Sequence, residues 1–287
     1  MTNKIKGLGI AIVTPFTSKG DIDYSSLEKL INYNISGGVD YIVFLGTTGE
    51  SPTLSLKEKI NIISFGKMVV RKRVPIVLGI GGNNTQRVVD MLSEFNYEGI
   101  DAVLSVSPCY NKPSQLGIIK HYTMIADKSP RPIILYNVPG RTSSNMEVET
   151  TLYLSKHKNI IAIKEASGNI RQIQKIINKK EDDFLVISGD DDLTVDIIRS
   201  GGDGVISVAA QAFPSFFKSN ILVSLNDSLL KDFFSLIFKE GNPSGIKSAL
   251  DIISQCEKFV RLPLTEVSSQ NYNDIEKCIK KIKKNEV

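Results

Sequence analysis

A (β/α)₈ barrel with a C-terminal helical extension is the fold class that this sequence predicts, and three observations carry the prediction. Short β-branched runs alternate with helix-period segments almost from end to end. The runs number eight, which is the strand count of such a barrel. The chemically unusual residues fall just after the C-terminal ends of those runs, where barrels of this kind gather their active sites. A doubly wound open sheet uses the same alternation and is the competing architecture.

Taken in order, the predicted strands are Gly9–Thr14, Tyr41–Phe44, Ile76–Gly79, Ala102–Val106, Ile133–Asn137, Ile160–Lys164, Leu185–Ser188 and Gly204–Ser207. Between the first two, Leu27, Leu30, Ile31 and Ile35 share one helical face, with Asp23 placed ahead of them as an N-cap. Val88, Met91, Leu92 and Phe95 form a second such face, with Thr85 in the corresponding cap position. The unit between the seventh and eighth strands is short and is the weakest part of the count. From Ser215 to Lys284 only helical pattern follows, with Phe233, Phe234, Ile237, Ile246, Leu250, Ile253 and Phe259 as candidate apolar faces. The expected organisation is a barrel over 1–225 and a helical domain over 226–287.

Composition narrows the function classes. Lys and Arg total 35 against 31 Asp and Glu, a net +4 spread along the chain, with one basic cluster at Lys277–Lys284 that reads as a solvated helix face. A nucleic-acid partner is not expected. Three cysteines, Cys109, Cys256 and Cys278, lack metal-type spacing and suit free thiols in a reducing compartment. No apolar run approaches the length of a membrane span, and the N-terminus carries no cleavage-site pattern, so a cytoplasmic protein is expected. The two histidines, His121 and His157, lie in no His/Cys/carboxylate cluster, which disfavours a zinc-dependent chemistry. Neither a Gly-x-Ser-x-Gly elbow nor a P-loop is present.

At the strand ends the pattern is specific. Gly46-Thr47-Thr48-Gly49-Glu50-Ser51 follows the second strand and Pro108–Pro113 the fourth; Tyr136–Thr142 closes the fifth and Gly189-Asp190-Asp191 follows the seventh. Lys164 closes the run Ile160-Ile161-Ala162-Ile163, too apolar for an edge strand in water. Burial of an amine at such a place favours its neutral form, and a neutral amine attacks a keto group to form an imine. The plainer alternative is a lysine that snorkels out to solvent. Tyr136 can relay protons or simply plug the barrel. The Thr47-Thr48 pair, set between glycines, can bind a carboxylate or cap the next helix. Arg141 can grip a second carboxylate in a bidentate fork or remain solvated. Gly79-Ile80-Gly81-Gly82 lacks the dinucleotide fingerprint, and close backbone packing explains it as well.

From about Gly7 to Leu264, and in motif order, the chain resembles the dihydrodipicolinate synthase family of pyruvate-dependent lyases. The segments that carry the resemblance are Gly46-Thr-Thr-Gly-Glu-Ser, Tyr136-Asn-Val-Pro-Gly-Arg-Thr and Ile163-Lys-Glu-Ala-Ser-Gly. The resemblance implies that Lys164 forms an imine with pyruvate, Thr48 holds its carboxylate, and Tyr136, Thr47 and Tyr110 relay protons, Tyr110 reaching in from a neighbouring subunit. It implies that Arg141 binds the carboxylate of aspartate semialdehyde, and that Gly189 and Ile206 shape the pocket through their backbones. It further implies a homotetramer built as a dimer of dimers, with no metal or organic cofactor. Sibling lyases that act on sugar acids usually carry Ser at the place of Thr47 and lack the arginine of Gly140-Arg141-Thr142, so both details favour the synthase. A barrel that merely binds a small acid as a sensor has no use for an imine-forming lysine. Cys109 departs from the family pattern, which commonly has a tyrosine there at the dimer interface. In relatives that lysine inhibits, the ligand sits in an interface cleft. Matched onto this chain, that cleft keeps Ser51 and Asn83 but places Arg87 at its glutamate, Leu56 and Lys59 at its histidines and Cys109 at its tyrosine. Insensitivity to free lysine is the expectation.

Overall fold

A computed structural model describes residues 5–284. Eight parallel strands close into a barrel in chain order: β1 (Gly7–Ala11), β2 (Tyr41–Phe44), β3 (Ile76–Gly79), β4 (Ala102–Val106), β5 (Ile133–Asn137), β6 (Ile160–Glu165), β7 (Leu185–Ser188) and β8 (Gly204–Ser207). The closing pair is β8 on β1, in the register Gly7↔Gly204 through Ile10↔Ser207. That pairing excludes the open sheet. β1 starts and ends earlier than the predicted Gly9–Thr14. The start of β1 is set by β8 and its end by β2, at Ala11↔Val43; after the Ile12 N–H has donated to the Val43 carbonyl the chain leaves the ladder, with the Thr14 hydroxyl donating to the Gly49 carbonyl at 2.7 Å.

Side chains along each strand alternate between two separate apolar clusters, as the two-residue period of a strand demands. Tyr41, Val43, Ala102, Leu104, Ile134, Tyr136, Ala162 and Ile206 fill the barrel interior. Ile42, Phe44, Val103, Ile133, Leu135 and Ile163 face outward against the surrounding helices. Ala162 and Lys164 therefore share the inner face, and Ile163 and Glu165 the outer one. Parity alone carries Lys164 into the barrel.

The outer ring is capped where sequence chemistry allows. Asp23 caps the helix Tyr24–Ser36 by accepting from the Ser26 N–H at 3.0 Å. The helix Leu56–Val70 opens on a reciprocal capping box between Ser55 and Glu58. For the helix Thr85–Ser93 the cap is Asn84, accepting from the Arg87 N–H at 3.1 Å, and not Thr85, whose hydroxyl pairs instead with His121 Nδ1 at 2.9 Å. The short seventh unit holds a 3₁₀ turn, Asp191–Leu193, and the helix Thr194–Arg199. After β8 no strand occurs among the described residues. The helix Pro214–Phe217 runs into a π-helical stretch, Lys218–Val223, and three further helices follow: Lys231–Phe238, Ser244–Ile252 and Ser269–Lys283. These three pack on one another, and the first two also touch the loops after β7 and β8. Phe233, Phe234, Ile237, Ile246 and Leu250 are buried there, with Ile253 and Phe259 partly covered.

Candidate active site

A cavity of about 710 Å³ opens at the C-terminal ends of the strands. Thr47, Thr48, Tyr136, Arg141, Lys164 and Gly189 all line it, so six residues drawn from four strand ends meet around one mouth. Lys164 is 5% exposed. It pairs in register with Tyr136 across β5 and β6, and its Nζ lies 4.4 Å from the centre of the Tyr136 ring. A Cβ built on Gly189 would stand 3.0 Å from Lys164 Cε and 2.8 Å from Ala166 Cβ, so the glycine makes room for the lysine stem. Gly79 is a second close approach: a Cβ there would lie 2.4 Å from the Leu45 carbonyl oxygen, which gives that glycine loop a packing role.

Carboxylates face the amine. Burial, and then the adjacent Asp192 carboxylate, push the Asp190 carboxyl up to about 6 against the pull of Lys164. Asp191 is also raised by burial, although one of its oxygens accepts from the Val208 and Ala209 N–H groups at 3.1 and 2.9 Å. Its other oxygen, Oδ1, is buried, and the Ser207 hydroxyl also favours the carboxylate. On the outer face of β6, burial lifts Glu165 to about 7 against hydrogen bonds from Gln172 and Asn137. Because Asn137 precedes the turn Pro139–Thr142, this cluster ties the strand of the lysine to the segment that presents Arg141. Arg141 itself is exposed at the rim, with no ion-pair partner among the described residues.

The Gly46–Ser51 loop is held from the far end of the chain. Asn242 donates its Nδ2–H to Thr48 Oγ1 at 2.8 Å. Lys247 and Glu50, both wholly buried, form an ion pair at 2.6 Å, and the Lys247 ammonium also donates to the Phe259 carbonyl at 2.7 Å. Burial pushes the Lys247 amine down, and the Glu50 carboxylate pulls it back up. The second Glu50 oxygen accepts from the Arg261 N–H at 3.0 Å. The Arg261 guanidinium forks onto Glu58 and holds that carboxyl at about 2. Over the mouth, the helix Lys231–Phe238 lays Lys231, Phe234, Ser235 and Phe238 along the cavity rim.

Two residues singled out in the sequence lie elsewhere. Tyr110 is 89% exposed, in a left-handed conformation (φ 71°), and does not line this chain's cavity. Ile206 is wholly buried in the barrel interior and is not part of the cavity wall. Conversely, sequence reasoning passed over Asn242, Glu50 as an ion-pair partner, Lys247 and the place of the Lys231–Phe238 helix over the mouth. The signals present were the Gly241-Asn242-Pro243 turn and a lysine set inside the apolar run Ile246–Leu250.

A closed barrel with a buried lysine at a strand end, inside a cavity at the C-terminal mouth rimmed by hydroxyls and an arginine, has the architecture of a (β/α)₈ enzyme. The family model described as the dihydrodipicolinate synthetase family matches residues 4–282, and the chain belongs to that family. It is 48% identical to the 4-hydroxy-tetrahydrodipicolinate synthase of Parabacteroides distasonis over 97% of both chains. To the enzyme of the same name from Karelsulcia muelleri it is 50% identical, over 92% of this chain and 93% of the relative. Among solved structures, the chloride-inhibited dihydrodipicolinate synthase of Acinetobacter baumannii, complexed with pyruvate, superposes with a TM-score of 0.94. It is 35% identical, covering 97% of this chain and 99% of that one.

Proposed function

We propose that this chain condenses pyruvate with L-aspartate 4-semialdehyde, through a Schiff base on Lys164, to give 4-hydroxy-tetrahydrodipicolinate and water. The observation that carries the reading is the Lys164 amine, buried inside the barrel mouth and stacked on Tyr136, in the same cavity as Thr48 and Arg141. The amine attacks the keto carbon, and loss of water leaves the imine. Thr48 holds the pyruvate carboxylate through its hydroxyl. Tyr136 and Thr47 pass protons to and from the departing oxygen, completed by Tyr110 of a neighbouring subunit, which the exposure of Tyr110 permits. Loss of a methyl proton converts the imine to an enamine, whose carbon attacks the aldehyde bound with its carboxylate on Arg141. The substrate's own amine then displaces Lys164 and closes the ring. Gly189 gives the lysine stem its room, and Ile206 backs the pocket from within the barrel.

A homotetramer arranged as a dimer of dimers goes with this reading, because the relay needs a tyrosine that each chain presents outward. So does a cytoplasmic location, suited to three free cysteines; no helix among the described residues is long and apolar enough to cross a membrane. The proposed division is a barrel over 1–225 and a helical domain over 226–287, supported by the mutual packing of the last three helices. The test is covalent capture: pyruvate with borohydride should add one lactyl-sized mass per chain, mapped to Lys164. Lys164→Arg, which keeps the charge but has no titratable amine in the useful range, should abolish it. An adduct on another lysine, or none, refutes the mechanism.

A further inference from the structure

Thr48 is buried, and the partner of its hydroxyl is an amide from the other end of the chain. A hydroxyl has one proton to give and two lone pairs to receive with. The Asn242 Nδ2–H occupies one lone pair at 2.8 Å, the amide's own Oδ1 is buried without a partner, and among the described residues the Thr48 hydroxyl makes no hydrogen bond as a donor. The hydroxyl is therefore biased towards donation, and the space it borders is the cavity that holds Lys164. Asn242 is itself only 7% exposed and lines the same cavity. Its placement does not depend on this one bond. Five residues further on, Lys247 is locked on Glu50, and Glu50 lies two residues past Thr48. The segment Asn242–Lys247 thus clasps the Gly46–Ser51 loop at two points.

We infer that Asn242 is a positioning residue for the keto-acid carboxylate: by donating to Thr48 Oγ1 it turns the Thr48 hydroxyl proton into the cavity. The inference rests on the reading of Thr48 as the carboxylate grip. Asn242→Ala removes the donor and frees the hydroxyl to rotate. Asn242→Asp keeps the shape but supplies an acceptor, which draws the Thr48 proton away from the substrate and adds a like charge.

The experiment is a double-mutant cycle on the pyruvate concentration that half-saturates borohydride trapping, with aspartate semialdehyde half-saturation and turnover at saturating pyruvate measured beside it. Asn242→Ala should raise the pyruvate value about tenfold, and Asn242→Asp roughly a hundredfold, since hydrogen bonds to a charged group are the strong ones. In a Thr48→Val background Asn242→Ala should add less than about a factor of two, because the two residues act as one unit. Semialdehyde half-saturation should stay within about twofold. The same factor in both backgrounds, an equal rise for the semialdehyde, or Asn242→Asp no worse than Asn242→Ala overturns the positioning role while leaving Thr48 in place. An unchanged pyruvate value in Thr48→Val overturns both. Near-wild-type thermal unfolding of the isosteric Asn242→Asp separates these outcomes from misfolding.

Discussion

Replacing Gly189 by alanine should separate catalysis from fold at a single carbon. Carbon atoms rest at about 3.5–4.0 Å, so a methyl at 2.8 Å from Ala166 Cβ and 3.0 Å from Lys164 Cε intrudes on both. The backbones have little freedom to give, because the Gly189 N–H donates to the Glu165 carbonyl at 2.8 Å and β6 and β7 are paired through Glu165↔Ser188. Ala166 Cβ is fixed to that backbone. The lysine stem yields by roughly half an ångström to an ångström, and the closer contact with Ala166 Cβ is relieved only by a backbone shift, which displaces Lys164 further. A misplacement of about 1 Å costs on the order of a hundredfold in rate, while overpacking of this kind costs about 1–3 kcal/mol in stability. Rapid-quench borohydride trapping at saturating pyruvate reads the first quantity, and thermal unfolding reads the second. A trapping rate within about threefold of wild type would falsify the claim that Gly189 exists to seat the lysine, whatever happens to stability.

The buried pair offers a second test: Lys247→Met leaves Glu50 without its cation and should cost about 3–5 kcal/mol, visible as a fall in Tm of about 10 °C. Adding Glu50→Gln should recover part of it, and a Tm unchanged in the single variant refutes the pairing argument. Glu165, raised to about 7 from 4.5, keeps its proton in the fold where the unfolded chain releases it, so its contribution is complete below pH 4.5 and lost as pH rises through about 7. Glu165→Gln should therefore gain on wild type by up to roughly 3 kcal/mol between pH 4.5 and pH 8 in unfolding experiments, and parallel pH profiles would count against it. Free lysine should not inhibit: burial and then the neighbouring Arg87 push the Lys59 ammonium down, so another cation is unwelcome there. Partial inhibition at millimolar lysine in steady-state assays shows the expectation to be mistaken.

Most of this architecture was legible because it is local. Seven of the eight strands fall where β-branched runs place them, within a residue, since burial on both faces leaves few polar positions to confuse the reading. β1 shifted because its start depends on β8, nearly 200 residues away, and its end on β2, and no local pattern records either register. Asn84 and Thr85 are both competent caps, and choosing between them needs the position of His121. The site was legible for the same reason as the strands: parity places Lys164 and Tyr136 inside, and loops at strand ends converge. Asn242 and Lys247 were not, because a lysine within an apolar helical run reads as a snorkelling side chain until its carboxylate partner is known.

The contacts that finish the Gly46–Ser51 loop span 194 residues for Asn242 and 197 for Lys247. A ribosome delivers the N-terminal end first, so Thr48 and Glu50 wait outside the tunnel while most of the chain is still being made. Closing loops of that length is slow compared with local helix and strand formation. Until the last sixth of the chain begins to emerge, Glu50 lacks its cation and Thr48 its amide. A nascent or prematurely released chain would carry Lys164 while Thr48 and Glu50 still lacked these partners. The Gly46–Ser51 loop is thereby among the last parts of the cavity wall to be fixed.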